Sequence, residues 1–126
     1  MKDMIHGIVN SRNEAQIRVR LRGWTGIESD ITCLIDTGFS GDLLLPELMA
    51  VSLGFLHMGN TPANLVDGSV SDVELYFGQM YWNGVLVDTV FQCVGNEPLI
   101  GMSLLNGHEL RIEVAPGGMV EINELP

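Results

Sequence analysis

One short stretch places an acid, a hydroxyl and a glycine in direct succession. Asp36, Thr37 and Gly38 follow the apolar run 31–35, which predicts a strand. A strand end holds a carboxylate in place, Thr37 can hydrogen-bond nearby backbone, and Gly38 permits a sharp turn and a close approach of other chain. Because an acid in apolar surroundings is costly unless it is paired or belongs to a site, the triplet is the candidate catalytic segment. The triplet alone is a weak signal, so its surroundings must support the assignment.

Strands and short helices are predicted on both sides of the triplet. Residues 16–22 alternate between apolar residues and arginines, which predicts a half-buried strand whose arginines are solvated. Residues 30–35 are nearly all apolar, so we expect that strand to be buried on both faces. Pro46 suits the start of a short helix. A second apolar run ends in Gly101 and leads into a short helix over 102–107.

Two hairpins are predicted between these segments. The first spans 61–77, with a two-residue turn at Asp67-Gly68. The second spans 79–94, with a turn at Asn83-Gly84, the strongest short-range hairpin signal in the chain. Together the patterns predict an all-β, mainly antiparallel fold with one or two short helices.

Composition limits the class of protein. With 126 residues we expect a single domain over 1–126, and 46% hydrophobic against 17% charged residues argues against disorder. The net charge of −10 argues against nucleic acid and against anionic membrane surfaces as partners. The N-terminus lacks the apolar core of a signal peptide and no run of 18 apolar residues occurs, so we expect a cytoplasmic protein.

Other reactive side chains give weaker signals. His6, His57 and His108 lack the spacing of metal ligands, so we expect no metal site. Cys33 and Cys93 lie in apolar runs, which favours buried reduced thiols over the alternative of a disulfide or redox pair.

Two stretches taken together resemble the signatures of the retroviral-type (retropepsin-like) aspartic proteases. The segment Leu34-Ile35-Asp36-Thr37-Gly38-Phe39-Ser40, followed by Leu43-Leu44-Leu45-Pro46, looks like the active-site segment of that family. The segment Leu99-Ile100-Gly101-Met102-Ser103-Leu104-Leu105, followed by an alternating strand over 110–114, resembles its second signature. A hairpin lies between the two signatures, where the family has its flap. The likeness covers about residues 4–122 and is nearest to the cellular and bacterial single-domain branch, in which Phe commonly follows the triplet. One departure is Met102, where viral members usually have an Arg that supports an ion pair.

The resemblance implies an aspartic endopeptidase with a closed acid-protease barrel, a flap hairpin and no metal or cofactor. Catalysis in this family needs two carboxylates that share a proton, and this chain has one triplet. The resemblance therefore implies a homodimer in which each subunit contributes its Asp36. Thr37 would lock the two active-site loops together, and Gly38 would provide the close approach. The other implied residues contact or shape the site of an extended peptide or protein substrate: Asp67, Gly68 and Ser69 at the flap tip, and Ile100, which packs beneath the active-site loop.

Two other interpretations remain open from the sequence. The first is a catalytically silent retropepsin-like module that binds peptides or proteins, or that dimerises a complex, because fold does not determine function. The intact Asp36 favours the enzyme, since a pure binding module has no need for that acid. The second is an unrelated β-barrel in which the triplet arose by chance, and a structure without the juxtaposition of two Asp36 carboxylates would favour it.

Overall fold

The computed structural model describes residues 4–64 and 68–126. These residues form ten strands and two short helices. In chain order they are β1 (Ile5–Val9), β2 (Ala15–Arg22), β3 (Glu28–Ile35), β4 (Leu43–Leu45), α1 (Glu47–Ser52), β5 (Leu56–Asn64), β6 (Val70–Trp82), β7 (Val85–Cys93), β8 (Leu99–Ile100), α2 (Met102–Leu105), β9 (His108–Ile112) and β10 (Met119–Glu124).

The strands form one sheet that closes on itself. The order along the sheet is β5-β6-β7-β4-β8-β3-β2-β1-β10-β9, and an additional pairing of β6 with β2 joins the ring. The closing pairs are Leu21 with Met80 and Arg22 with Gln79. A barrel of six strands results, which contains β2, β3, β8, β4, β7 and β6. The predicted all-β class, with a closed barrel and two short helices, is therefore confirmed.

The alternating strand β2 has the two faces that its sequence predicts. Ile17, Val19 and Leu21 are buried in the core of the barrel, and Arg18 and Arg20 face solvent. The core also contains Phe91, which is completely buried and stacks on another aromatic ring in the barrel at a centroid distance of 5.0 Å. Burial of such apolar side chains is the main force that stabilises the barrel.

Strand β3 corrects one prediction, because it is not buried on both faces. Ile31 and Cys33 are buried, but Asp30 and Thr32, which alternate with them, are exposed. The outward face of β3 continues the arginine face of β2, so Asp30 pairs with Arg20 across the sheet at 3.1 Å. A mostly apolar run did not reveal this polar face.

The two hairpins share one long strand instead of being separate. Strand β6 pairs with β5 on one side and with β7 on the other, and it continues through Gly78. A Cβ atom at Gly78 would lie 2.5 Å from the ring of Phe55, so this glycine makes room for an aromatic side chain and does not end a strand. The Asn83-Gly84 turn is confirmed, with φ of 52° and 75°. Asp67 lies outside the described residues, and Gly68 has a φ of 85°, as a turn glycine requires.

Two further findings concern thiols and membrane spans. Cys33 and Cys93 are both free and buried, as predicted. Within residues 4–64 and 68–126, neither helix has the length and apolar character needed to cross a membrane.

Candidate active site

Asp36 is held at the point where β3 leaves the barrel. Its backbone N–H donates to the carbonyl of Ile100 at 2.9 Å, and its own carbonyl accepts from Phe39 at 3.1 Å. The carboxylate is oriented by the turn, because Oδ1 accepts a hydrogen bond from the N–H of Gly38 at 2.9 Å. Oδ2 of Asp36 accepts no hydrogen bond from the described residues. One oxygen is therefore positioned by the backbone while the other remains available to a ligand.

The second apolar run forms the short strand β8, which lies between β3 and β4. Leu99 pairs with Leu34 and Ile100 pairs with Ile35 in parallel, and Ile100 also pairs with Leu43 in the antiparallel direction. A strand surrounded by neighbours on both edges and packed on the core must be apolar, which is the physical reason for the Leu-Ile sequence. Strand β8 thus joins the strand before the triplet to the strand after it.

Three hydrogen bonds connect the loop of the triplet to the start of α2. Gly101 N–H donates to the carbonyl of Asp42 at 2.9 Å, Met102 N–H to Phe39 at 2.8 Å, and Ser103 N–H to Gly41 at 3.1 Å. The first N–H groups of a helix have no partners within the helix, so the loop carbonyls satisfy them. The loop and the second signature therefore form one hydrogen-bonded unit.

Gly101 permits this unit because a side chain does not fit there. A Cβ atom at Gly101 would lie 2.2 Å from the carbonyl oxygen of Gly41 and 2.5 Å from the ring of Phe39. The aromatic ring of Phe39 also lies over Gly41, where a Cβ atom would approach it to 2.5 Å. The pattern of Phe39, Gly41 and Gly101 is thus explained by the packing of one ring against two glycines.

The carboxylate opens onto a cavity of about 420 Å³. Asp36 and Thr37 form part of its wall, with the polar residues Asn13 and Glu14. The rest of the lining is apolar and comes from four separate parts of the chain: Val9, Ala15, Leu34, Ile35, Leu99, Ile112 and Val114. An apolar groove with a few convergent polar groups is the usual form of a binding site for an organic ligand.

The predicted site residues fall into three groups in the structure. Asp36, Thr37 and Gly38 lie together in the turn at the cavity. Ile100 is completely buried, so its side chain supports the loop from beneath, and the neighbouring Leu99 lines the cavity instead. Gly68 and Ser69 are exposed at the end of the β5–β6 hairpin and are not part of the cavity wall. Asp67, predicted beside them, falls on a residue that the structure does not describe.

The sequence analysis assigned no site role to Glu14, Ile112 or Val114, which line the cavity. Glu14 lies in the turn between β1 and β2, and its Oε1 is 3.3 Å from Nε of Arg12 and accepts a hydrogen bond from Asn10 at 3.0 Å. Ile112 and Val114 come from the end of β9 and the segment after it. Their strand alternation gave no indication of a site, because only the pairing of β1 with β10 and of β10 with β9 brings them here.

His57 and His108 have structural side-chain partners. His57 lies 2.6 Å from Glu74 across the β5–β6 hairpin. His108 contacts Asn83 at 2.8 Å and the carbonyl of Asn106 at 2.9 Å. No group of three or more potential metal-ligating side chains occurs among the residues that the structure describes.

The fold has a counterpart among solved structures. The chain is similar to a retropepsin-like aspartic protease from Rickettsia conorii, with a TM-score of 0.61, 20% sequence identity, and coverage of 98% of this chain and 92% of that one. At that identity the similarity establishes the retropepsin-like fold. No protein-family model and no curated protein matches the chain.

Proposed function

We propose that this chain, which has the retropepsin-like fold, is an aspartic endopeptidase and that Asp36 is its catalytic carboxylate. The observation that carries the proposal is the position of Asp36. Its carboxylate is oriented through Oδ1 by the Gly38 N–H, and it opens onto an apolar cavity large enough for a substrate side chain. A backbone-oriented acid beside an apolar groove suits a reaction in which water attacks a peptide carbonyl held in that groove.

The chemistry requires two carboxylates with different protonation states. One ionised carboxylate removes a proton from water, whose oxygen attacks the carbonyl carbon, while a protonated carboxylic acid donates its proton to the carbonyl oxygen. Collapse of the resulting tetrahedral diol breaks the C–N bond, and a proton moves to the leaving amine. Two adjacent carboxylates share one proton because both cannot ionise at close distance.

A homodimer supplies the second carboxylate in this proposal. The sequence contains one Asp-Thr-Gly triplet, so a two-fold axis beside Asp36 would place the same residue of a second copy opposite it. Thr37, exposed in the turn, would contact the second loop across the axis. Met102 stands where viral members have an arginine and is 49% exposed, so we assign it an apolar contribution to the dimer contact.

The substrate in this proposal is an extended peptide or a protein segment. The apolar wall formed by Leu34, Leu99 and Ile112 suits an apolar side chain next to the cut bond. The β5–β6 hairpin would act as the flap, with Gly68 and Ser69, together with the predicted Asp67, closing over the bound peptide and excluding water. We also propose a cytoplasmic location, which the two free buried thiols support.

Digestion of a peptide library between pH 4 and 7 tests the proposal. The wild type should cut it, and the isosteric Asp36→Asn variant should not, because an amide can neither ionise nor share a proton. Asp88→Asn is the matched control, because Asp88 is an exposed acid on β7 whose partner is Gln79. Equal cutting by wild type and Asp36→Asn, or no cutting by the wild type, would contradict the assignment.

A mixing experiment tests the shared site separately. If wild type and Asp36→Asn exchange subunits in equal amounts, about one quarter of the dimers contain two intact carboxylates, so about one quarter of the activity of the same total amount of wild type should remain. Independently active monomers would retain about half. Sedimentation of the same samples should show a dimer at the concentrations that cut peptide.

A further inference from the structure

A second groove runs along one edge of strand β3 and shares no lining residue with the cavity at Asp36. Its volume is about 590 Å³, and six consecutive residues, 27–32, form one wall. Side chains of successive strand residues leave on opposite faces, so six consecutive residues line a groove only where it follows the strand edge. Met49 and Leu53, from α1 and its end, form the opposite wall.

The direction of the backbone groups shows that this edge is open. Leu34 N–H donates to Pro98 and Asp36 N–H donates to Ile100, so the even-numbered residues at this end of β3 direct their backbone groups toward the β8 side. Asp30 and Thr32 belong to the same alternation, but β8 pairs only with Leu34 and Ile35. Among the described residues, Asp30 and Thr32 make no backbone hydrogen bond outside the ladder with β2. Their N–H and C=O groups therefore face the groove without a backbone partner.

The charges along the sheet specify what a strand in this groove should carry. Arg20 of β2 lies directly opposite Asp30 of β3, and Arg22 lies opposite Glu28. Arg20 contacts both acids, at 3.1 Å from Asp30 and at 2.8 Å from Glu28. A strand added beside β3 would continue the alternation of charge with a basic residue opposite Asp30, because opposite charges across neighbouring strands are favourable.

The wall of the groove opposite β3 is apolar. Met49 and Leu53 line its far wall, and Ile27, which is 52% exposed, lies at one end. Residues of an added strand that alternate with the basic ones would pack against these side chains. An exposed strand edge is a template for pairing with another chain, and an edge flanked by an apolar wall offers both hydrogen bonds and burial.

We propose that this groove binds an extended segment of a partner protein as an additional strand beside β3. The segment has apolar residues at alternate positions, directed toward Met49 and Leu53, and basic residues between them, directed toward Asp30. Backbone hydrogen bonds to Asp30 and Thr32 hold the segment, and the alternating side chains select it.

Amide hydrogen exchange measured by NMR tests the pairing. The probe is acetyl-Val-Lys-Val-Lys-Val-amide, and the protein carries Asp36→Asn so that the experiment is independent of peptide cleavage. The amides of Asp30 and Thr32 should exchange rapidly in the free protein and at least about tenfold more slowly with saturating peptide. The amides of Ser29 and Ile31, which face β2, should change little. The proposal is overturned if the peptide does not bind, or if Asp30 and Thr32 gain no protection.

Paired charge variants test the selection of the basic residue. Asp30→Asn should weaken binding of the lysine peptide by about threefold, the size of one cross-strand charge pair. Glu109→Gln removes one negative charge at an exposed position on β9 and should leave the affinity unchanged. Asp30→Lys should prefer the peptide acetyl-Val-Glu-Val-Glu-Val-amide over the lysine peptide. Equal effects of Asp30→Asn and Glu109→Gln, or no change of preference with Asp30→Lys, would refute the role of Asp30.

Discussion

Replacement of Gly101 by alanine tests whether the close packing of the loop against α2 positions Asp36. The new methyl carbon would lie 2.2 Å from the carbonyl oxygen of Gly41 and 2.7 Å from that of Phe39. Because a carbon atom rests at about 3.3 Å or more from a carbonyl oxygen, the loop and α2 must separate by about 1 Å. Both carbonyls are backbone atoms, so no side-chain rotation relieves the contact.

The magnitude follows from the hydrogen bonds that this movement affects. The carbonyls of Phe39, Gly41 and Asp42 accept three bonds from the start of α2. At about 0.5–1.5 kcal/mol for each bond, their loss lowers the free energy of unfolding by about 1.5–4.5 kcal/mol. This is less than the total stability of about 5–15 kcal/mol that is usual for a domain, so the variant should fold. A displacement of about 1 Å at Asp36 should lower kcat/KM for a cleaved peptide by about 100-fold.

Urea unfolding and peptide cleavage, measured on the same samples below the unfolding transition, test this reasoning. Gly26→Ala is the matched control, because a Cβ atom at Gly26 meets nothing within 4 Å while its φ of 87° disfavours alanine. It should cost about 1–2 kcal/mol from backbone strain alone and leave kcat/KM unchanged. If Gly101→Ala matches this control in both stability and activity, the close approach of the loop does not position Asp36.

Three further outcomes are expected. Phe91→Ala should lower the free energy of unfolding in urea by about 3–5 kcal/mol, because its completely buried ring would leave a cavity; a loss below about 1 kcal/mol would contradict the packing. Hydrogen bonds from Arg20 and, to a smaller extent, from Tyr81 lower the pKa of Glu28, so ionised Glu28 stabilises the fold above the unfolded pKa, and this stabilisation is lost as the pH falls through the folded pKa. The stability difference between wild type and Arg20→Gln should therefore shrink on acidification below about pH 4.5, and a constant difference would argue against this coupling. Burial raises the pKa of Cys33 and of Cys93 to about 12, so iodoacetamide at pH 8 should label these thiols only after unfolding, and rapid labelling of the native protein would show that they are accessible.

Local patterns predicted much of the framework. The alternation in β2 and the turn at Asn83-Gly84 depend on side-chain periodicity and backbone preferences that act over a few residues, and both were confirmed. The position of Asp36 at a strand end was also predictable, because an apolar run followed by Asp, Thr and Gly specifies it locally.

Some predictions from local sequence were wrong because residues far away in the chain determine the surroundings of the feature. The predicted hairpins over 61–77 and 79–94 were separate, but the missing side chain of Gly78 makes room for Phe55, and β6 continues through both. The apolar run of β3 suggested burial on both faces, but pairing with the arginine face of β2 leaves Asp30 exposed.

The sequence by itself determined a β-rich fold with the acid of the triplet placed at a strand end. Only the tertiary structure decided what surrounds that acid. Strand β8 lies between β3 and β4, and the pairing of β1 with β10 and of β10 with β9 brings Ile112 and Val114 to the cavity. These contacts join residues far apart in the chain, and no local periodicity encodes them, because strand alternation specifies which face a residue occupies but not which strand lies beside it.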